Sequence, residues 1–363
     1  MVSPSQSDIR FMRRALALAR RGVGTTHPNP RVGAVVVSDG TIIAEGWHRR
    51  AGEAHAEFAA LRQAGSAARG ATLYVTLEPC SGHGRTPPCT DIVMRSGVRR
   101  VVFASDDPNP QMSGGAALLR EAGIEVCGGM LRDVADELNR PFFHFVRTGR
   151  PYVVAKAAIS LDGKLATRRQ HSQWISGEGS RRHAHRLRAA SDAILVGAGT
   201  LAQDNPSLTV RDAHRRGEVP LRAVVCDDMP VFRPDYRLLD GQAPARLYVR
   251  NFNGQADAWR AAGAEVVPAE SLNVVLQHLG KEGRLALLLE GGGRLHAAFF
   301  EARLADELVL YQAPLIIGGE EAVGLWHGKG VAHVSDALRL DDIERRRLGQ
   351  DQLIRGRIRY PAQ

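Results

Sequence analysis

Apolar runs of strand length alternate with helical segments along almost the whole chain, and no other feature constrains the fold as much. Residues 32–37 and 41–47 flank Ser38-Asp39-Gly40, a hairpin signal with glycine where a positive φ is wanted. Ser7 and Asp8 are placed to cap a helix running to about Arg21, with Phe11, Ala15 and Leu18 on one face. Helices are expected at about 54–64, 89–96 and 115–122, and strands at 71–77, 98–104 and 124–127. Strands separated by single helices require crossovers, which imply a mixed sheet covered on both faces.

The apolar pattern breaks at Arg147-Thr148-Gly149-Arg150-Pro151 and then restarts. Strands are expected at 152–158, 193–197, 222–227, 246–250, 265–267, 285–290 and 307–312, with helices at 178–190, 255–262 and 294–303 between them. The tail, 352–360, reads as a final edge strand. At 363 residues the chain exceeds one ordinary domain. The reading is two α/β domains, residues 1–147 and 148–363.

Composition narrows the class. With 44% hydrophobic and 24% charged residues the chain is globular, which excludes disorder and collagen-like architectures. The sequence holds no run of roughly 18 uncharged apolar residues, so no membrane span is expected. Charge interrupts the apolar N-terminal segment IRFMRRALALARR, unlike a signal peptide, and the reducing cytoplasm is the expected compartment. A net charge of +9 attracts anions without separating nucleic acids from phosphorylated small molecules. Four cysteines are too few for a disulfide scaffold at this length. Cys127 and Cys226 close apolar runs, whereas Cys80 and Cys89 sit among glycine, proline and polar residues.

Those two cysteines belong to a metal-ligating pattern. Glu53-Ala54-His55-Ala56-Glu57 opens a helix, Thr76-Leu77-Glu78-Pro79-Cys80 ends a strand, and Cys89 begins the next helix. His55, Cys80 and Cys89 make three protein ligands for a tetrahedral zinc, leaving a fourth position for water. That is the catalytic arrangement; a structural zinc needs a fourth protein ligand, which His83 in the intervening loop is placed to supply. A helix N-terminus at Cys89 favours its thiolate. Glu57 is the candidate proton shuttle, although two residues of regular helix turn it about 200° from His55. The order H-x-E, P-C and a second cysteine resembles the zinc-dependent nucleobase deaminases. Their common P-C-x-x-C is replaced here by eight residues between the cysteines, including Arg85, a candidate for a substrate phosphate.

In the second half no G-x-G-x-x-G follows a strand, so a Rossmann site is not supported. Two glycine turns remain, Gly197-Ala198-Gly199-Thr200 and Glu290-Gly291-Gly292-Gly293. The second joins an apolar run to a helix, where backbone amides can approach a phosphate.

Three segments now make the resemblance specific. His27-Pro28-Asn29-Pro30-x-Val32-Gly33, His55-x-Glu57 and E-P-C-S-x-H-G-R-T-P-P-C resemble the deaminase half of the bifunctional riboflavin-biosynthesis deaminase/reductase family. The likeness continues through Lys156-Ala157-Ala158-Ile159-Ser160-Leu161-Asp162-Gly163-Lys164, Ser172-x-Trp174-Ile175-Ser176 and Gly199-Thr200-x-x-x-Asp204-Asn205-Pro206-x-Leu208-Thr209-x-Arg211. It implies a cytidine-deaminase-like three-layer domain followed by a dihydrofolate-reductase-like domain. The implied activities are zinc-dependent deamination of a pyrimidinone carrying a ribosylamino 5′-phosphate, then NADPH-dependent reduction of the ribosyl group to ribityl. By motif position Asn29 and His48 would hold the pyrimidine and Arg85 would lie near the phosphate. Ala158, Trp174, Thr200, Asp204, Gly292, Gly293 and Arg294 would contact NADPH, and Ser172, Arg188, Leu208, Arg211 and Glu290 the substrate. Trp174 offers an aromatic face, Arg188 and Arg211 a bidentate grip on phosphate, and Glu290 an acceptor for sugar hydroxyls. Two positions depart from the family: Gly82 stands where many members have a substrate-binding histidine, and Gln170 where glycine is usual. A small phosphorylated pyrimidine, neither nucleic acid nor membrane, is the expected partner, and a homo-oligomer the expected assembly.

Overall fold

The computed structural model describes residues 5–84, 86–213 and 217–361. The chain divides into two compact units, Met1–Gly149 and Arg150–Gln363.

The first unit runs α1 (Gln6–Ala19), β1 (Gly33–Ser38), β2 (Thr41–Trp47), α2 (Ala56–Ala64), β3 (Thr72–Leu77), α3 (Cys89–Ser96), β4 (Arg100–Ser105), α4 (Gly115–Glu121), β5 (Glu125–Cys127) and α5 (Arg132–Thr148). Its sheet has the order β2-β1-β3-β4-β5, with β1 antiparallel to both neighbours and β3, β4 and β5 parallel. Strand alternation sends Ala34, Val36, Leu73, Val75 and Val101 to one face, under Ala56, Ala60, Leu61, Val93 and Leu119 from the helices. Val35, Val37, Tyr74 and Val102 face the other way, onto Phe11, Met12, Leu16 and Ala135. Each large apolar side chain so buried contributes roughly 1.5–3 kcal/mol.

The cap of α1 is Ser5 rather than Ser7: its hydroxyl accepts from the Asp8 N–H at 3.1 Å, and Asp8 reciprocates on the Ser5 N–H at 3.2 Å, a capping box. Gly46 faces α2 so closely that an added Cβ would lie 2.4 Å from the Ala56 carbonyl oxygen. Helix α5 goes unannounced in the sequence because Pro141 lies in its middle. Its Asn139 accepts from the Arg31 N–H at 2.8 Å and donates to the Arg31 carbonyl at 2.9 Å, pinning the loop that carries Asn29.

The second unit contains β6 (Tyr152–Ile159), β7 (Lys164–Ala166), α6 (Glu178–Ala190), β8 (Ala193–Gly197), α7 (Ala198–Asp204), β9 (Leu221–Asp228), β10 (Ala245–Asn251), α8 (Ala256–Ala261), β11 (Ala264–Pro268) and α9 (Leu272–Lys281). It continues with β12 (Ala286–Glu290), α10 (Gly293–Glu301), β13 (Glu307–Gln312), β14 (Val323–Gly324), β15 (Arg339–Leu348) and β16 (Asp351–Arg359). Nine strands form one sheet, β11-β10-β9-β8-β12-β6-β13-β16-β15. From β11 to β13 all neighbours are parallel, and the β15–β16 hairpin closes the sheet antiparallel to β13. The edge strand expected at 352–360 is instead an inner one: β16 lies between β13 and β15, and β15 is the edge. Its sequence, RLDDIERRRL, has no apolar alternation to betray a strand, because most of it is exposed. The glycine turn expected at 197–200 is the opening of α7, with Gly197 as N-cap.

Candidate functional sites

In the first unit the ends of three elements converge. His55 is the N-cap of α2, extended at φ −70° and ψ 164°, so the helical angle separating it from Glu57 does not apply. Cys89 is the first residue of α3 and Cys80 lies in the segment leaving β3. His55 Nδ1 lies 3.2 Å from Cys89 Sγ and 3.7 Å from Cys80 Sγ. The three donor atoms are all within 4.8 Å of one another, the one such group among the described residues. One imidazole nitrogen and two thiol sulfurs in that space suit a tetrahedral zinc. His83 is not in the group, which leaves three protein ligands.

The backbone N–H at the start of α3 donates to Cys80 Sγ at 3.3 Å, not to the sulfur of its own residue. The expected advantage of Cys89 as thiolate thus passes to Cys80. A hydrogen bond from Cys89, joined by His55, outweighs burial and holds the Cys80 thiol well below its usual range. Cys89 is pushed up by the same hydrogen bond and by burial. Glu57 is buried in the first turn of α2, within electrostatic reach of Cys80 and His55. Burial, with the Cys80 charge adding to it, raises the Glu57 carboxyl to about 7.

Beside this cluster, Asn29 Nδ2 donates to His48 Nε2 at 3.1 Å, and His48 Nδ1–H donates to the Ala54 carbonyl at 3.1 Å. Burial lowers the pKa of His48, so the ring is neutral with its tautomer fixed by these partners. It packs edge-on to His55 with 5.3 Å between ring centroids. Two residues that sequence reasoning missed complete the frame. Thr86 Oγ1 meets His55 Nε2 at 3.2 Å, on the ring edge away from the sulfurs. The buried Glu78 accepts from the N–H groups of Ala116, at 2.9 Å, and Asp107, at 3.3 Å, tying the end of β3 to the start of α4 and to the loop after β4. Gly82 lies against that loop: a Cβ there would fall 1.9 Å from the Gln111 carbonyl oxygen, so no larger residue fits this backbone. Arg85 lies outside the described residues.

In the second unit a cavity of ≈ 1130 Å³ is lined by the carboxyl ends of the parallel strands, the position that open α/β sheets offer a ligand. Ala158, Trp174, Thr200, Asp204, Gly292, Gly293 and Arg294 all line it, as do Ser172, Arg188, Leu208, Arg211 and Glu290. Trp174 is 68% exposed, and Arg181 stacks over it at 4.9 Å. Gly292 is the N-cap of α10, and a Cβ built on it meets nothing within 4 Å. That open cradle at a helix N-terminus fits the phosphates of a dinucleotide. Gln170 has φ 63°, the left-handed region where the family's glycine is at ease.

On the cavity floor Arg188 donates from Nε and Nη2 to the two Glu290 oxygens, each at 2.8 Å, and from Nη1 to the Thr209 carbonyl at 3.0 Å. Lys156 Nζ lies 3.7 Å from Glu290. Burial alone would raise the Glu290 carboxyl, but Arg188 and Lys156 outweigh it and hold it well below the usual range. The bidentate grip expected of Arg188 on a phosphate is thus engaged by Glu290. Among the described residues Arg211 has no side-chain partner.

Comparison with known proteins agrees with both halves. Residues 5–105 match the cytidine and deoxycytidylate deaminase zinc-binding region, and residues 151–354 match the RibD C-terminal domain. The chain is 45% identical to the riboflavin biosynthesis protein RibD of Bacillus amyloliquefaciens, covering 94% of each chain. The chain belongs to the RibD family. To RibD of Escherichia coli it is 41% identical, over 95% of this chain and 97% of the other. The solved RibD of Acinetobacter baumannii superposes with a TM-score of 0.88 at 36% identity, covering 99% of both chains. A diaminohydroxyphosphoribosylaminopyrimidine deaminase/5-amino-6-(5-phosphoribosylamino)uracil reductase from Thermotoga maritima gives 0.83 at 34% identity, over 97% and 98%. The RibD fold is the expected one, a cytidine-deaminase-like domain followed by a dihydrofolate-reductase-like domain. Among the described residues no helix is long and apolar enough to cross a membrane.

Proposed function

We propose a division of labour in which residues 1–147 deaminate and residues 148–363 reduce. The chain is a bifunctional enzyme of riboflavin biosynthesis, a zinc-dependent deaminase and an NADPH-dependent reductase. The first reaction takes 2,5-diamino-6-(5-phosphoribosylamino)pyrimidin-4(3H)-one and water to 5-amino-6-(5-phosphoribosylamino)uracil and ammonia. The second adds hydride and a proton to give 5-amino-6-(5-phosphoribitylamino)uracil. The meeting of His55, Cys80, Cys89 and Glu57 carries the deaminase reading.

His55, Cys80 and Cys89 would hold the zinc, which when bound supplies the Lewis acidity that makes water nucleophilic near neutral pH. Glu57 accepts a proton from the attacking water and returns it to the departing amine, its buried carboxylate lying within electrostatic reach of His55 and Cys80. Asn29 and the neutral His48 hold the pyrimidine ring. Arg85 binds the phosphate of this substrate.

In the second unit Ala158, Trp174, Thr200, Asp204, Gly292, Gly293 and Arg294 would hold NADPH, which supplies the hydride. Ser172, Leu208, Arg211 and Glu290 position the sugar phosphate, with Arg188 keeping Glu290 ionised and fixed. Positioning and exclusion of water are the chief demands of such a transfer. The cationic surface suits both anionic ligands.

A coupled assay tests the reading. Purified protein receives the diaminopyrimidinone ribosylamine phosphate, and ammonia release and NADPH oxidation are followed together. Ammonia release without NADPH, and NADPH oxidation only after ammonia release, are expected; NADPH oxidation preceding ammonia would reverse the order proposed here. We further propose that the enzyme is cytoplasmic and a homo-oligomer and that it binds no nucleic acid. A mobility shift of tRNA or single-stranded DNA at physiological salt counts against the last point.

A further inference from the structure

Arg211 reaches the cavity from the loop after α7. Leu208 and Asp212 both sit at positive φ, 50° and 53°, a region that leucine seldom adopts. Two side chains of α6 hold the loop from outside. Arg188 Nη1 donates to the Thr209 carbonyl at 3.0 Å, and His185 Nδ1 accepts from the Arg211 N–H at 3.1 Å. His185 and Arg188 are three residues apart, on one helical face. Only a ring with a bare Nδ1 can accept that N–H, so the proton of His185 belongs on Nε2. Burial, together with the charges of Arg188 and Arg211, lowers the pKa of His185 and keeps the ring neutral. The Arg188 anchor is shared with Glu290, whereas the His185 anchor has no visible purpose except to fix the backbone of Arg211.

We propose that His185 is a positioning residue for the reduction: its Nδ1 holds the Arg211 backbone, and so aims the Arg211 guanidinium at the substrate phosphate. This rests on the reading above that Arg211 contacts substrate.

The test uses the intact protein with NADPH and the already deaminated phosphoribosylaminouracil. His185→Phe removes the acceptor, and the KM for that substrate is expected to rise roughly tenfold, the worth of one hydrogen bond. Its kcat and its KM for NADPH stay near wild type. His185→Asn carries an amide oxygen near the place of Nδ1 and restores the KM, whereas His185→Gln carries it nearer Nε2 and does not. Arg211→Ala sets the limit, and adding His185→Phe to it changes nothing further. A wild-type KM in His185→Phe beside a raised KM in Arg211→Ala overturns the positioning role alone. A wild-type KM in Arg211→Ala overturns the substrate reading and this inference with it. If His185→Phe does not fold, the Asn and Gln variants decide: equal KM values in the two overturn the proposal.

Discussion

The Thr86 hydroxyl meets His55 on Nε2, the ring edge opposite the two sulfurs, at 3.2 Å. A metal-binding imidazole whose far nitrogen is engaged keeps its tautomer and its direction. Thr86→Val is therefore expected to lower zinc affinity by roughly 10–100-fold, the usual effect of losing such a partner. Competition against a chromogenic chelator measures it, with NADPH-dependent reduction of the deaminated intermediate as the unaffected control.

Glu57→Gln keeps the size and burial of the side chain but removes its basicity. Zinc content should stay at wild-type level while ammonia release falls by at least ~10²-fold, the lower end for a lost acid–base group. Reduction of the deaminated intermediate should continue. Retained ammonia release would sink the assignment.

Asp8 links the first turn of α1 to the sheet, accepting from the Tyr74 hydroxyl at 2.5 Å and from Arg100 at 3.0 Å. Burial raises its carboxyl, but the hydrogen bonds from Tyr74, Arg100 and Ser5 prevail and bring it to about 2. A carboxyl lowered on folding stabilises above its unfolded value of 3.8, and the gain drains away as pH falls towards 2. Asp8→Asn should cost about 2 kcal/mol at pH 6, and the gap between the two proteins should narrow steadily below pH 4. Urea unfolding followed at a series of pH values reads it.

Glu290→Gln leaves the partly buried Arg188 and Lys156 charges without this counterion. Removing one partner of a fully buried pair costs about 3–5 kcal/mol, and the loss here should fall below that range because water reaches the two cations from the cavity. The unfolding midpoint of the variant should fall and reductase turnover should be lost. In the wild type the pair should survive mild acid, because Glu290 ionises well below the usual carboxylate range.

Gly82→Ala places a methyl group against the Gln111 carbonyl, backbone that cannot swing aside. Ammonia release should drop while NADPH oxidation by the deaminated intermediate is unchanged. Unaltered ammonia release would show that the loop yields without consequence.

Sequence pattern foretells the elements whose burial is one-sided. The hairpin at Asp39-Gly40 is legible because both turn residues take positive φ, 49° and 74°, and the flanking strands alternate. Strand β15 is illegible because most of its side chains face water, and α5 because a proline sits where helices seldom tolerate one. In the metal cluster residue type and order carry the message, since few pairings of imidazole with thiols serve any other end. Thr86 and Glu78 carry no such signal: a hydroxyl and a carboxylate are common everywhere, and only tertiary structure sets them beside His55 and Ala116. The engagement of Arg188 by Glu290 is equally invisible, the two lying 102 residues apart.

Helix α2 carries both His55 and Glu57, and Gly46 is the surface on which it rests. With 2.4 Å available where ordinary contact needs 3.4 Å, one methyl group at that position would lift the helix by about an ångström. Displacements of that size can cost a hundredfold in rate. A lone hydrogen on the neighbouring strand therefore works as a spacer gauge for the carboxylate proposed to move the proton, and the tolerance of the whole deaminase centre is set where no chemistry occurs.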